Sequence, residues 1–313
     1  MSTEIVSKNF NWKIALAAQK ACILEVDAPK VGNVNRYHDF ADTSLEDFHY
    51  SALAIGRPFG YLEEQGVGRT IFEAVKATRQ AVDSNTNLGI ILLLAPLGMA
   101  WSRMSQKGRI TSNPQDSKTL SDNWKQAITL VLESLTIEDT RYVYQAIRLA
   151  NPSGMGRVNA HDVFQDESPE ITLLEAMNLS AERDLIARQY KEHFDLVICN
   201  GYEEFKRSLG QGIPLPQAIA HTHLFLLSQV QDSLITRKLG EQWSIRVRDK
   251  ARNVWKQGGW LCAAGQKHIF KFDRWLRGNG QKNNLNPGST ADLIAAIIFV
   301  YLLEQNLIKN IGR

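Results

Sequence analysis

Four polar segments interrupt an otherwise apolar, helix-patterned chain, and they carry most of the side chains able to do chemistry. The first, residues 25–40, holds Glu25, Lys30, Gly32, Asn33, Arg36, His38 and Asp39. Lys30 and Arg36 suit phosphate oxygens, Asp39 suits a hard cation, and His38 can move a proton. Gly32 permits close backbone approach or a positive φ. A helix-to-helix connector with surface charges would use the same residue types. The second segment, residues 84–89, places Asn85, Asn87 and Gly89 at the start of a very apolar helix. Exposed amides there favour anions, while simple capping explains one asparagine equally well.

The third segment carries Asn151, Gly154 and Gly156, followed by His161-Asp162. Two glycines two apart resemble a phosphate-cradling loop without matching a Walker or Rossmann pattern. The fourth, residues 286–293, has Ser289 and Asp292 three apart before an apolar helix, which reads as a near-standard capping box. Upstream, Asp232 precedes the pair Arg237-Lys238 and Gly240, an ordinary complement to a helix end.

The elements that must position these groups are helical. Apolar residues at helical spacing mark Trp12 to Val26, Leu45 to Ile55, Thr70 to Val82, Leu88 to Met104, a helix starting at Thr119 or Ser121, and Thr140 to Ala150. A long amphipathic stretch runs from Ser180 to Leu209 and stops at Pro214-Leu215-Pro216. Ala218 to Leu239, Glu241 to Trp255, Trp260 to Leu276 and Thr290 to Ile308 follow. Ser44 and Asp47 form a short-armed capping box, and residues 278–288 read as a Gly/Asn/Pro loop. No run alternates convincingly as a strand, and no repeat or long linker divides the chain. The expectation is an all-α, bundle-like single domain of roughly a dozen helices over residues 1–313.

Composition narrows the function. The chain has 313 residues, 44% hydrophobic and 22% charged, with a net charge of +3. That balance argues against disorder and against a nucleic-acid binder driven by bulk charge. Cys22, Cys199 and Cys262 are widely spaced and form no CxxC pair, which fits a reducing compartment without a disulfide framework or zinc site. The N-terminus lacks a signal-peptide pattern. The apolar runs Leu88 to Trp101 and Leu293 to Leu303 fall short of the roughly 20 residues of a membrane span. A cytoplasmic protein without membrane contact is expected, and homo-oligomerisation is compatible with the sequence.

Taken in order, the polar segments resemble the triphosphoribosyl-dephospho-CoA synthases that serve citrate lyase and malonate decarboxylase. The matching pieces, from about Ala21 to Leu293, are Glu25-x3-Pro29-Lys30-x-Gly32 with His38-Asp39 and Ser51; Asn85-Thr86-x-x-Gly89; Asn151 to Gly156 with Asp162; Asp232-x3-Thr236-Arg237-x2-Gly240; and Pro287-Gly288-x2-Ala291-Asp292-Leu293. The resemblance implies an all-helical enzyme in which the 2′-hydroxyl of dephospho-CoA attacks the anomeric carbon of ATP's ribose and adenine leaves. It implies ATP, a phosphorylated small-molecule acceptor and Mg²⁺. Glu25, His38 and Asp39 are then the expected catalytic groups, and Asp39 and Asp292 the metal ligands, with Glu25 a further carboxylate candidate. The resemblance implies a nucleotide and phosphate site lined by Lys30, Gly32, Asn33, Arg36, Asn85, Asn87, Gly89, Asn151, Gly154, Gly156, Arg237 and Ser289. The sequence departs from the family pattern at Asn87, where His is usual, and at Val31, where Pro is usual.

Three other readings compete. A relative with a pterin-type acceptor, as in tetrahydromethanopterin biosynthesis, would keep the donor site. An HD-type metal phosphohydrolase would use His38-Asp39 or His161-Asp162, but no His precedes His38. A non-catalytic helical binding protein would account for the seven tryptophans.

Overall fold

The structure is a computed structural model and describes residues 10–40, 43–106, 120–152, 163, 169–278 and 285–311, the last six as backbone only. Among these residues there is no strand; one isolated bridge joins Asn35 and His38. The first half contains α1 (Trp12–Asp27), α2 (Leu45–Ala54), α3 (Gly56–Gly60), α4 (Leu62–Gln65), α5 (Val67–Ala81), α6 (Leu88–Gln106), α7 (Leu120–Glu133) and α8 (Ile137–Ala150). The second half contains α9 (Leu173–Ser180), α10 (Leu185–Lys191), α11 (Tyr202–Gly210), α12 (Leu215–Gln229), α13 (Ser233–Leu239), α14 (Glu241–Lys256), α15 (Ala263–Leu276) and α16 (Gly288–Ile311).

Two helices organise the core. α6 and α16 are apolar on nearly every face, the pattern of a helix enclosed by others. Both are long and apolar enough to cross a membrane by composition, yet 78% and 72% of the relevant windows are buried within the protein. They run side by side in the same direction: a Cβ at Gly89 would overlap the Asp292 carboxylate, and one at Gly98 would lie 3.5 Å from Phe299. Their N-termini, the positive ends of both dipoles, therefore share one end of the molecule.

Pro96 interrupts α6 without breaking it. Proline has no N–H for the carbonyl of Leu92 four residues earlier. The buried Tyr190 hydroxyl of α10 donates to that carbonyl at 2.6 Å, so no acceptor is stranded.

A smaller cluster of Leu224, Leu227, Ile235, Val247, Ala251, Ile269, Phe272 and Leu276 packs α12 to α15 together and includes Val31 and Leu285. Helix α12 contributes to both clusters, with Ile219 and Leu226 in the larger one.

The structure has more and shorter helices than the periodicity suggests. The expected helix from Ser180 to Leu209 is divided. Asp184 caps α10, His193 and Phe194 take φ of 50° and 59°, and Leu196–Gly201 forms a π-helical turn before α11. Phe194 is fully buried in that left-handed conformation, so packing overrides the local preference. The stretch from Ala218 to Leu239 likewise splits, because Asp232 starts α13 afresh. The Ser44–Asp47 capping box is present as read. Of the loop at 278–288, residues 279–284 lie outside the described residues.

Candidate active site

The site forms where the first turns of α6, α10, α13 and α16 meet the loop after α1. Lys30 is fully buried, and its ammonium lies 2.9 Å from Glu25 Oε1 while also bonding the Glu25 carbonyl. Burial raises the Glu25 pKa and Lys30 opposes the shift. The pair fixes the loop, which Asn35 Nδ2 closes by donating to the carbonyls of Lys30 and Asn33.

Gly32 has φ of 74°, and its N–H donates to Asp273 at 2.8 Å. A Cβ there would press on Pro287 and Leu276 at 2.9 and 3.0 Å, so both conformation and space require glycine. Asn33 Nδ2 donates to Asn286 Oδ1 at 2.7 Å, and Arg277 donates to the Asn33 carbonyl at 2.7 Å. The first and fourth polar segments are therefore one structure.

The acids at this end of the bundle differ in what holds them. Asp232 is fully buried; Oδ1 accepts from the N–H groups of Leu234 and Ile235, and Oδ2 accepts from the N–H and hydroxyl of Thr290 at 2.7 and 2.8 Å. Burial pushes its pKa up against these four donors. Asp184 caps α10 through Ile186 and Ala187 and receives Arg237 at 3.0 Å. Ser233 accepts from the Leu185 N–H and donates to Ser289, which also accepts from Leu234 N–H. The starts of α10, α13 and α16 are thus sewn together. Ser289 and Asp292 do not form the expected capping box, because Ser289 lies inside α16 and distant Asp232 caps it.

Asp292 alone is left open. It is half-buried, beside Gly89, with no hydrogen bond or ion pair to any described residue. Burial raises its pKa well above the carboxylate range, Glu25, Asp232 and Asp184 add to the shift, and Arg237 opposes it.

The other expected residues fall in three groups. Asn85 and Asn87 stand at the same end: Asn85 Oδ1 accepts from Leu88 N–H, and buried Asn87 donates to the Ser51 carbonyl at 3.3 Å. His38, Asp39 and Arg36 are exposed, and nothing joins them to Asp292. Asp39 accepts from Leu45 N–H at 2.9 Å, and Arg36 pairs with Asp27, which also meets His49 at 3.0 Å. The expected carboxylate trio of Glu25, Asp39 and Asp292 is not assembled, and no three metal-binding side chains converge among the described residues. Asn151 ends α8 in the left-handed conformation, a common asparagine cap. Gly154, Gly156, His161 and Asp162 lie outside the described residues.

Sequence reasoning missed Asp184, Ser233, Asn286 and His223. His223 on α12 is fully buried; burial, then the charge of Lys30, lowers its pKa to about 3, and the Pro287 backbone opposes the shift. Of these, only the DS pair Asp232-Ser233 carried a visible signal, that of a helix start.

These features define an all-helical protein with a cluster of polar and acidic side chains at converging helix N-termini. Residues 11–311 match the family of ATP:dephospho-CoA triphosphoribosyl transferases, and the chain belongs to that family. It is 25% identical over 309 residues to a 2-(5''-triphosphoribosyl)-3'-dephosphocoenzyme-A synthase of Citrobacter koseri, covering 93% of this chain and 90% of the relative. A synthase of the same name from Pseudomonas fluorescens is 25% identical over 313 residues, covering 94% and 92%. The fold matches a crystal structure of a triphosphoribosyl-dephospho-CoA synthase from Archaeoglobus fulgidus with a TM-score of 0.58 and 24% identity, over 81% of this chain and 97% of that one.

Proposed function

We propose that this chain moves the triphosphoribosyl group of ATP onto the 2′-hydroxyl of dephospho-CoA at the cleft between the first turns of α6 and α16. The C1′–N9 bond of ATP breaks and adenine departs with the bonding electrons, taking up a proton. The acceptor oxygen forms the new bond to C1′ and loses its proton. The observation that carries this reading is Asp292, which among the described acids at this end is the one with no hydrogen bond or ion pair to a described residue.

The charge of the cleft bears on Mg²⁺. Lys30, Arg237 and Arg277 are already matched by Glu25, Asp184 and Asp273, while Asp232 and Asp292 remain. A bare triphosphate would find no unmatched cation among these side chains, whereas a Mg²⁺-bound one would bring its own positive charge and draw the proton off Asp292. Mg²⁺ commonly takes one or two carboxylates together with substrate phosphates and water, so Asp292 suffices as its protein ligand without a preformed trio. The ion would supply charge neutralisation of the triphosphate. The protein's own contributions are the positive N-terminal ends of α6 and α16 towards phosphate, Arg237 at the rim, and the Asp292 carboxylate as the anchor of the Mg²⁺-bound triphosphate. Glu25 and Lys30 hold the loop instead of meeting substrate. Asn87 bonds a backbone carbonyl, a positioning task that asparagine performs as well as histidine.

The test is incubation with ATP, Mg²⁺ and dephospho-CoA, followed by mass spectrometry. Free adenine and an acceptor heavier by one triphosphoribosyl unit are expected. ADP or inorganic phosphate without adenine would refute the reading.

A further inference from the structure

We propose that Asp232 is a positioning residue of this reaction: one carboxylate clasps α13 to α16 and so holds Arg237 and Asp292 in register across the cleft. The inference rests on the function proposed above.

The clasp is more than a helix cap. As a cap of α13 alone, Asp232 would use one oxygen, Oδ1, which accepts from Leu234 and Ile235 at 2.9 and 3.1 Å. Asparagine is as good as aspartate at that task. The second oxygen reaches the Thr290 N–H and hydroxyl, 58 residues away, at the first turn of α16. Both oxygens therefore face donors, and only a carboxylate satisfies both. An amide must turn its own N–H toward one of those donor sets, whichever way it flips.

Each clasped helix carries a cleft group close by. Arg237 lies in the last turn of α13 and pairs with Asp184 of α10. Asp292 lies two residues after Thr290 and rests against Gly89 of α6. Ser233 and Ser289 repeat the link with one hydroxyl-to-hydroxyl bond of 2.9 Å. A shift of α13 against α16 would separate the guanidinium from the carboxylate, and a displacement of about 1 Å in a positioned group can cost about 100-fold in rate.

The experiment compares Asp232→Asn, Thr290→Val and a control, Glu304→Gln, which loosens the far end of the same α16. The readouts are kcat and KM for adenine release, ATP·Mg²⁺ affinity by calorimetry without acceptor, and Tm. Asp232→Asn should lower kcat about 100-fold and weaken ATP·Mg²⁺ binding about tenfold. Thr290→Val, which removes one of the four bonds, should give a smaller loss of the same kind. Glu304→Gln should lower Tm with kcat unchanged. If Asp232→Asn keeps kcat and affinity within about twofold while losing only Tm, Asp232 is a structural cap and the proposal is overturned. An inactive wild type would instead overturn the reaction itself, a distinct result.

Discussion

Helix α16 carries two acids, Asp292 in its first turns and Glu304 further along, twelve residues or about 18 Å apart. Glu304 is buried and held by neutral donors: Trp124 Nε1–H bonds Oε1 at 2.9 Å, and the Tyr202 hydroxyl bonds Oε2. Burial raises its pKa, and the two donors oppose that shift. Asp292 has no donor among the described residues and sits among other acids. One end spends its polar group on closing the helix bundle, while the other leaves a carboxylate unsatisfied. Under the proposed function, the Mg²⁺-bound triphosphate would supply the partner that Asp292 lacks among the described residues.

Substitution should separate the two ends. Asp292→Asn is expected to reduce adenine release about 1000-fold, the scale of losing one electrostatic contact to a transition state, while Tm stays level or rises because an acid whose ionisation burial and its acidic neighbours oppose is replaced by a neutral amide. Glu304→Gln should do the reverse, with a loss of about 2 kcal/mol in stability by denaturant titration and normal turnover. Equal behaviour of the two variants in both assays would erase the distinction.

Gly89→Ala sharpens the comparison further. The new methyl would overlap the Asp292 carboxylate. Alanine favours a helix by about 1 kcal/mol over glycine, so stability should change little while turnover falls by about 10- to 100-fold. Unchanged turnover would mean that Asp292 need not sit where the structure puts it.

Behind the cleft, His223 should report through pH. Its folded pKa is about 3, below the ordinary value of 6.5. The unfolded chain therefore takes up a proton that the folded one refuses, and stability falls as pH drops below 6.5, reaching its full loss near pH 3. Between pH 7 and 5 the loss should be about 2 kcal/mol, and it should vanish in His223→Asn. An unchanged pH slope in that variant would place the titration elsewhere.

The smallest expected effect lies in the core. Tyr190→Phe leaves the Leu92 carbonyl, already deprived by Pro96, without a donor. About 1–2 kcal/mol of stability should be lost with turnover retained.

What the sequence made legible follows from range. Helical periodicity and the Ser44–Asp47 cap depend on residues a few positions apart; they gave the helical class and that cap, while the breaks at Asp184, His193–Phe194 and Asp232 fell inside stretches that read as continuous. Gly89 and Asp292 were singled out as types, but their contact joins helices far apart in sequence. Asp232 looked like the neighbour of a basic pair, because Thr290, its second partner, lies 58 residues on. Asp39 looked like a ligand from its place beside His38; in the structure it serves Leu45 on an exposed turn. Ser289–Asp292 matched a local capping pattern and was preempted by a tertiary one.

Hydrogen exchange with and without ATP and Mg²⁺ tests most directly whether the shared N-terminal end of α6 and α16 is the substrate site. Protection is predicted at residues 30–36, 87–92, 233–237 and 288–293, with none around Trp124, Tyr202 and Glu304. Protection confined instead to the cleft of about 750 Å³ at the other end of α6, lined by Phe10, Trp12, Glu63 and Trp101, would contradict the account.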